Sequence, residues 1–448
     1  MDERQVSERV PKRVLNNLLS SLEAGVVPRS GGPYIAIGRT EEIASLLDSL
    51  SAVADGGAAT RFIIGRFGSG KSFLMQLIRG YALDRDFLTA DADLSPERKL
   101  SGTGGLATYR ELMRNFASKA SPDGGALPIV LARFYNKVKE DLVLGGLDPD
   151  TEVFDAAVKQ RIYETLQSME CGVGGFEFAR VLGEYFSALA QDETDRKSAC
   201  LRWLRGEYTT KTEARAALGF AVGGIIDDAN WYDYLKLWAA LAVKLGYRGL
   251  VVYIDECINL YKITNKISRE ANYEKLLAIF NDTLEGRAEH LAVIFGGTPQ
   301  FLEDTRRGLF SYDALRSRLT DSRFSDLGYR NLSAPVIRLR RLSDNELLAL
   351  ILRLLKLYRE RWGDAVSLTT EECTEFLTCE LTRMGAEEQV TPREIIRDFL
   401  SLLGILKDNP DADFASLIRN ISRETPASPR ATGSDSVSSG KGIFDIEI

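Results

Sequence analysis

The chain has 448 residues, 44% of them hydrophobic and 27% charged, with a net charge of −7. That composition belongs to a globular protein with a substantial core and two or three domains, and it argues against a dedicated nucleic-acid coat or arm while leaving room for local basic patches. Five cysteines without CxxC spacing and a single histidine, His290, argue against a zinc site, a disulfide framework and Ser/His or Cys/His nucleophilic catalysis.

Residues 1–30 begin with a predicted helix. Pro11 opens it, Leu15, Leu18, Leu19 and Leu22 form one apolar stripe, and Gly25 stops it. Such a stripe on a terminal helix predicts docking onto the parent domain. Ile35-Ala36-Ile37 reads as a short apolar strand running into Gly38-Arg39, and Ile43, Leu46, Leu47 and Leu50 then mark a helix.

Gly65-Arg66-Phe67-Gly68-Ser69-Gly70-Lys71-Ser72 fits the phosphate-loop pattern completely. Glycines let backbone N–H groups converge on phosphates because no Cβ blocks the approach. Lys71 supplies a positive charge for the β- and γ-phosphates, and the Ser72 hydroxyl is a Mg²⁺ ligand. Arg61–Ile64 in front reads as a buried strand and Phe73–Ile78 behind as a helix whose N-terminal dipole faces the anion. This context separates a working loop from a chance match.

Phe87–Asp91 reads as a second parallel strand. Residues 95–245 then carry mostly helical periodicity, interrupted by glycines near 102–105, 124–125, 145–146, 172–175 and 223–224. Phe176–Leu189 and Trp231–Leu245 read as packed helices. Arg202-Trp203-Leu204-Arg205 is the densest concentration of functional residue types in the segment.

Gly249–Glu256 is a strand apolar on both faces that ends in adjacent carboxylates, about 190 residues after the phosphate loop. Carboxylates at the C-terminal edge of a parallel sheet sit where ligands bind. Asp255 is the residue for Mg²⁺ and Glu256 the one to polarise an attacking water. Leu291–Phe295 is a further strand, and Thr298 just beyond it is a candidate to orient the γ-phosphate or the water. His290 falls at the opposite edge and reads as structural.

Arg306, Arg307, Arg316, Arg318 and Arg323 follow, and one of them is a candidate to act in trans on a neighbour's γ-phosphate. Pro335–Leu339 reads as a last strand. Beyond it the chain is helical, with capping boxes at Ser343/Glu346, Thr369/Glu372 and Thr391/Glu394. Arg393 lies in the first turn of a helix, where a cation opposes the dipole, so a phosphate partner would explain it. Arg338, Arg340, Arg341, Lys356, Arg359 and Arg361 make a modest basic concentration. From about 423 the chain reads as a disordered linker ending in Ile443–Ile448, which alternates apolar and acidic residues.

Taken together these residues resemble an AAA+ ATPase of the origin-recognition and STAND-related branch. Gly38-Arg39 resembles the segment beside adenine, Gly65–Ser72 the Walker A loop and Leu250–Glu256 the Walker B strand. Thr298 falls at the sensor 1 position, Arg393 resembles sensor 2, and Arg316 or Arg318 falls where an arginine finger is expected. A closer resemblance rests on Phe67–Phe73, Leu201–Glu207, Ser311–Leu315 and Thr391–Arg393. These are similar to the P-loop ATPase family of bacterial BREX phage-defence clusters, and the length is that of its small, BrxD-like members.

The resemblance implies an α/β fold: an AAA+ P-loop core with a parallel sheet over residues 31–340, a helical insertion at about 95–245, and a helical lid over 341–420. It implies ATP and Mg²⁺ as cofactors, held by Gly38, Arg39, Gly65, Phe67, Gly68, Ser69, Gly70, Lys71, Ser72, Phe73 and Arg393, with Asp255 on the metal. The expected protein is a cytoplasmic ATPase without a membrane partner. It would act as a homo-oligomeric switch beside other defence proteins and DNA; a nucleotide-gated scaffold and a ring-forming translocase are the alternatives.

Overall fold

In the computed structural model the apolar runs around the phosphate loop become five parallel strands: β1 (Ala58–Ile64), β2 (Leu88–Asp93), β3 (Leu250–Asp255), β4 (Leu291–Gly297) and β5 (Val336–Arg338). The structure describes residues 9–169, 174–321, 330–363, 366–383 and 391–423. Strand order is β2-β3-β4-β1-β5. The register aligns the C-terminal ends, with Asp93 opposite Asp255 and Ile64 opposite Gly297. Every residue of β3 and β4 is buried, as runs that are apolar on both faces require.

The helices in chain order are α1 (Lys12–Glu23), α2 (Thr40–Ala54) and α3 (Lys71–Asp84). Between β2 and β3 come α4 (Gly105–Arg114), α5 (Leu127–Leu144), α6 (Glu152–Gln167), α7 (Gly175–Ala190), α8 (Thr194–Leu204), α9 (Lys211–Leu218) and α10 (Trp231–Lys244). Then follow α11 (Ile258–Tyr261), α12 (Lys266–Leu284), α13 (Pro299–Glu303) and α14 (Asp313–Leu319). The last four are α15 (Asp344–Trp362), α16 (Thr370–Arg383), α17 (Pro392–Asp408) and α18 (Phe414–Arg423).

Helices α2 and α3 cover one face of the sheet through Ile43, Leu46, Leu50, Leu74 and Ile78. The other face is continuous with the core of the long α4–α10 segment. That segment is pinned by aromatic residues with satisfied polar tips. Trp238 Nε1 donates to Tyr109 Oη (3.0 Å), Tyr109 Oη donates to the Leu204 carbonyl (2.7 Å), and Trp231 Nε1 donates to the Leu100 carbonyl (3.1 Å). The Arg202–Arg205 stretch is part of this scaffold. Trp203 and Leu204 are buried, while Arg202 pairs with Glu207 and Glu213.

Helices α15–α18 build a separate hydrophobic cluster, and α1 joins it by burying Leu15, Leu18, Leu19 and Leu22. The N-terminal helix therefore docks on the C-terminal helices rather than on the sheet. Both sides of all three capping boxes form. One expected element does not form. Ile35-Ala36-Ile37 is not a strand: Gly32–Ile35 is a 3-10 turn led by Pro33, which lacks the N–H a ladder needs. Arg323 and the linker with Ile443–Ile448 lie outside the described residues.

Candidate nucleotide-binding site

The loop Gly65–Gly70 leaves β1 and enters α3, so Lys71 and Ser72 occupy the helix's first turn. Gly68 has φ +73°, and a Cβ there would lie 2.5 Å from the Thr391 side chain. Only glycine therefore allows the loop to pass beneath the N-cap of α17. The Lys71 ammonium donates to the Arg66 carbonyl at 3.1 Å and sits 5.5 Å from the centre of the exposed Phe67 ring. Burial lowers the Lys71 pKa, while Asp255 and Glu256 pull it upward.

The carboxylates at the end of β3 meet this loop. Ser72 Oγ donates to Asp255 Oδ2 at 2.5 Å, and Asp255 Oδ1 accepts the Glu256 N–H at 2.8 Å. Glu256 has φ +56°, a left-handed conformation that costs a non-glycine residue energy and clusters at functional sites. Gly296 on β4 makes room, since a Cβ there would lie 2.2 Å from Asp255 Oδ1.

A single open cleft joins these groups. Phe67–Phe73, Arg39, Glu256 and Arg393 line its polar part, and Val26, Val27, Ile37, Leu342 and Ile396 line its apolar part. The expected residues Phe67, Gly68, Ser69, Gly70, Lys71, Ser72, Phe73, Glu256, Arg39 and Arg393 thus converge on one cavity. Gly65 borders the loop's other side, and Gly38 is the turn before Arg39 rather than part of the cleft wall. Arg393 Nε donates to the Gly25 carbonyl at 2.7 Å, which ties α17 to the segment after α1.

Thr298 is buried at the sheet edge and its hydroxyl accepts the Phe301 N–H (3.2 Å), capping α13. Arg316 pairs with Asp313 at 3.2 Å, and Arg318 donates to the Ala314 carbonyl at 2.8 Å. Neither arginine lines the cleft. His290 donates its backbone N–H to the Gly57 carbonyl, away from the site.

Two features escaped the sequence reading. Segment 25–28 forms part of the cleft wall, although nothing in its composition marks it. Asp93, across the ladder from Asp255, is a third carboxylate at this edge, and its pKa is pushed up to about 6 by partial burial and by Asp255, Asp91 and Glu256. The β2 reading stopped two residues short of it.

The family model described as BREX system ATP-binding protein BrxC/D matches residues 10–422. The chain belongs to the BrxC/D family. ATP is the nucleotide of that family, and its setting is the BREX phage-defence system. No curated protein matches the chain. The cleft fits such a ligand: Ser69 Oγ is buried against the loop without a hydrogen-bond partner, glycines cradle the loop, and Lys71 and Arg393 supply positive charge. The donor set of Ser72 and Asp255, a hydroxyl and a carboxylate, suits a hard cation such as Mg²⁺. No described helix is long and apolar enough to cross a membrane.

Proposed function

We propose that this BREX ATP-binding protein hydrolyses ATP with an AAA+-type site, and that the turnover switches a multimeric, DNA-associated assembly in the cytoplasm. The observation that carries the reading is the junction of loop and strand: Ser72 bonded to Asp255, with Glu256 turned into the same cleft as Lys71. A protein that only binds nucleotide has no need of that glutamate. The strand order, with β4 between β1 and β3, supports the AAA+ assignment, as does α17 bringing Arg393 over the phosphate loop.

In this reading the loop N–H groups, Lys71 and Arg393 hold the phosphates, and Ser72 and Asp255 hold Mg²⁺, which neutralises charge building on the phosphates. Glu256 accepts a proton from the attacking water, and Thr298 helps to orient it. Arg316 and Arg318 lie outside their own chain's cleft, which favours a neighbouring subunit as the recipient of one of them. The apolar wall of Val26, Val27, Ile37 and Ile396 encloses the base.

Purified protein is expected to hydrolyse ATP at concentrations that permit oligomers, with DNA titrated in, and Lys71→Ala and Glu256→Gln each to abolish turnover. Turnover that persists in both variants overturns the assignment. ATP binding without turnover, with or without DNA, favours the nucleotide-gated scaffold instead. Loss of DNA binding with rising salt is expected for a backbone-contacting mode.

A further inference from the structure

The phosphate loop is a thin wall between two cavities. One is the nucleotide cleft, and the other lies behind the loop between Ile64–Phe67, Pro299, Leu339 and Thr391. Arg39 and Ser69 border both. On this side the loop is also held by a hydrogen bond. Arg39 Nη2 donates to the Ser69 carbonyl at 3.1 Å, and the arginine is 5% exposed.

That strut is anchored in turn. Arg39 Nη1 lies 3.6 Å from Glu42 Oε1, and Glu42 is 1% exposed. The same carboxylate oxygen accepts from Arg330 Nη2 at 2.7 Å, while Arg330 Nη1 reaches Glu41 at 3.0 Å. One buried carboxylate thus serves two guanidinium groups from chain segments nearly three hundred residues apart. Gly38 makes the geometry possible: at φ +71° it turns the chain, and a Cβ there would lie 2.7 Å from Glu346 Oε1. A buried ion pair of this kind is weak evidence for stability, because desolvation offsets the attraction. Its value is in fixing one geometry.

We infer that Arg39 is a positioning residue, not a base contact: it sets the phosphate loop through the Ser69 carbonyl, and Glu42 with Arg330 sets Arg39. The inference rests on ATP binding at this cleft but not on hydrolysis, so it stands or falls separately from turnover. Arg330 leads into β5 from the chain beyond α14, the helix of Arg316 and Arg318. The relay therefore links the loop to the residues that lead into β5.

The test is calorimetric titration of the full chain with ATP, and separately with inorganic tripolyphosphate, which has no base. Arg39→Ala is expected to weaken both ligands by a similar factor, about tenfold or more, and Arg39→Lys to recover only part, since lysine cannot reach Ser69 and Glu42 with a planar fork. If only ATP weakens and tripolyphosphate does not, Arg39 acts at the base and the proposal is wrong. Arg330→Ala, at a partly exposed residue outside the cleft, guards against misfolding of the first variant. It is expected to weaken both ligands several-fold and to be non-additive with Arg39→Ala, as residues joined through one carboxylate are. Unchanged affinity in Arg330→Ala, or strictly additive losses, overturns the relay.

Discussion

Ser72 Oγ and Asp255 Oδ2 are 2.5 Å apart although 183 residues separate them in the chain. The contact exists because β1 and β3 flank β4 in register, so the loop after one strand and the carboxylate ending the other reach the same sheet edge. The long α4–α10 segment intervenes in sequence without intervening in space, since it packs on the sheet's face.

Asp255→Ala is expected to remove the Mg²⁺-dependent part of ATP affinity. With Asp255 gone, Ser72 is the remaining protein donor of the proposed metal site, and affinity measured with Mg²⁺ and with chelator should become nearly equal. A wild-type-like Mg²⁺ dependence in this variant would remove Asp255 from the metal site.

Gly68→Ala places a Cβ in a left-handed conformation and against Thr391. The strain is about 1–3 kcal/mol, and it falls on the contact between the phosphate loop and α17. Nucleotide affinity should drop together with melting temperature, measured by thermal unfolding with and without ATP. Gly70→Ala is the contrast, since nothing lies within 4 Å of its Cβ position and only the φ of +90° is strained.

Asp93→Asn should raise the melting temperature of metal-free protein at neutral pH. The Asp93 pKa is about 6 in the folded chain, because partial burial and the charges of Asp255, Asp91 and Glu256 oppose ionisation. An unfolded aspartate titrates near pH 4. Below about pH 4 both states are protonated and the carboxyl has no effect. Between about pH 4 and 6 the unfolded chain loses the proton first, so stability falls as pH rises, and above that window the penalty is complete. The benefit of the asparagine should therefore shrink as pH is lowered through this window, a trend readable by thermal melts in chelator.

Tyr109→Phe removes the hydroxyl that accepts from Trp238 and donates to Leu204. It leaves a buried N–H and a buried carbonyl without partners, at a cost of about 1–3 kcal/mol. Urea unfolding should report that loss, with ATP affinity unchanged under native conditions because the triad lies in the α4–α10 core rather than at the cleft.

The amino-acid order alone was enough for the phosphate loop, the buried strands, the three capping boxes and the helical stripe of α1, because each is written in neighbouring residues. Glycine spacing, an apolar run closed by carboxylates, and a Thr or Ser three residues before a Glu all act over one or two turns of chain. Ile35–Ile37 failed for the same reason: three apolar residues look like a strand until Pro33 and the lack of a ladder position exclude it. What only the tertiary structure decided lies between distant segments. It brought Asp255 to Ser72, turned Glu256 into a left-handed conformation, set Asp93 across the ladder, and docked α1 so that residues 25–28 wall the cleft. It also brought Arg39 into hydrogen-bond contact with the Ser69 carbonyl of the loop. Such placements depend on strand order and on which buried charges share a partner, and no local periodicity carries that information.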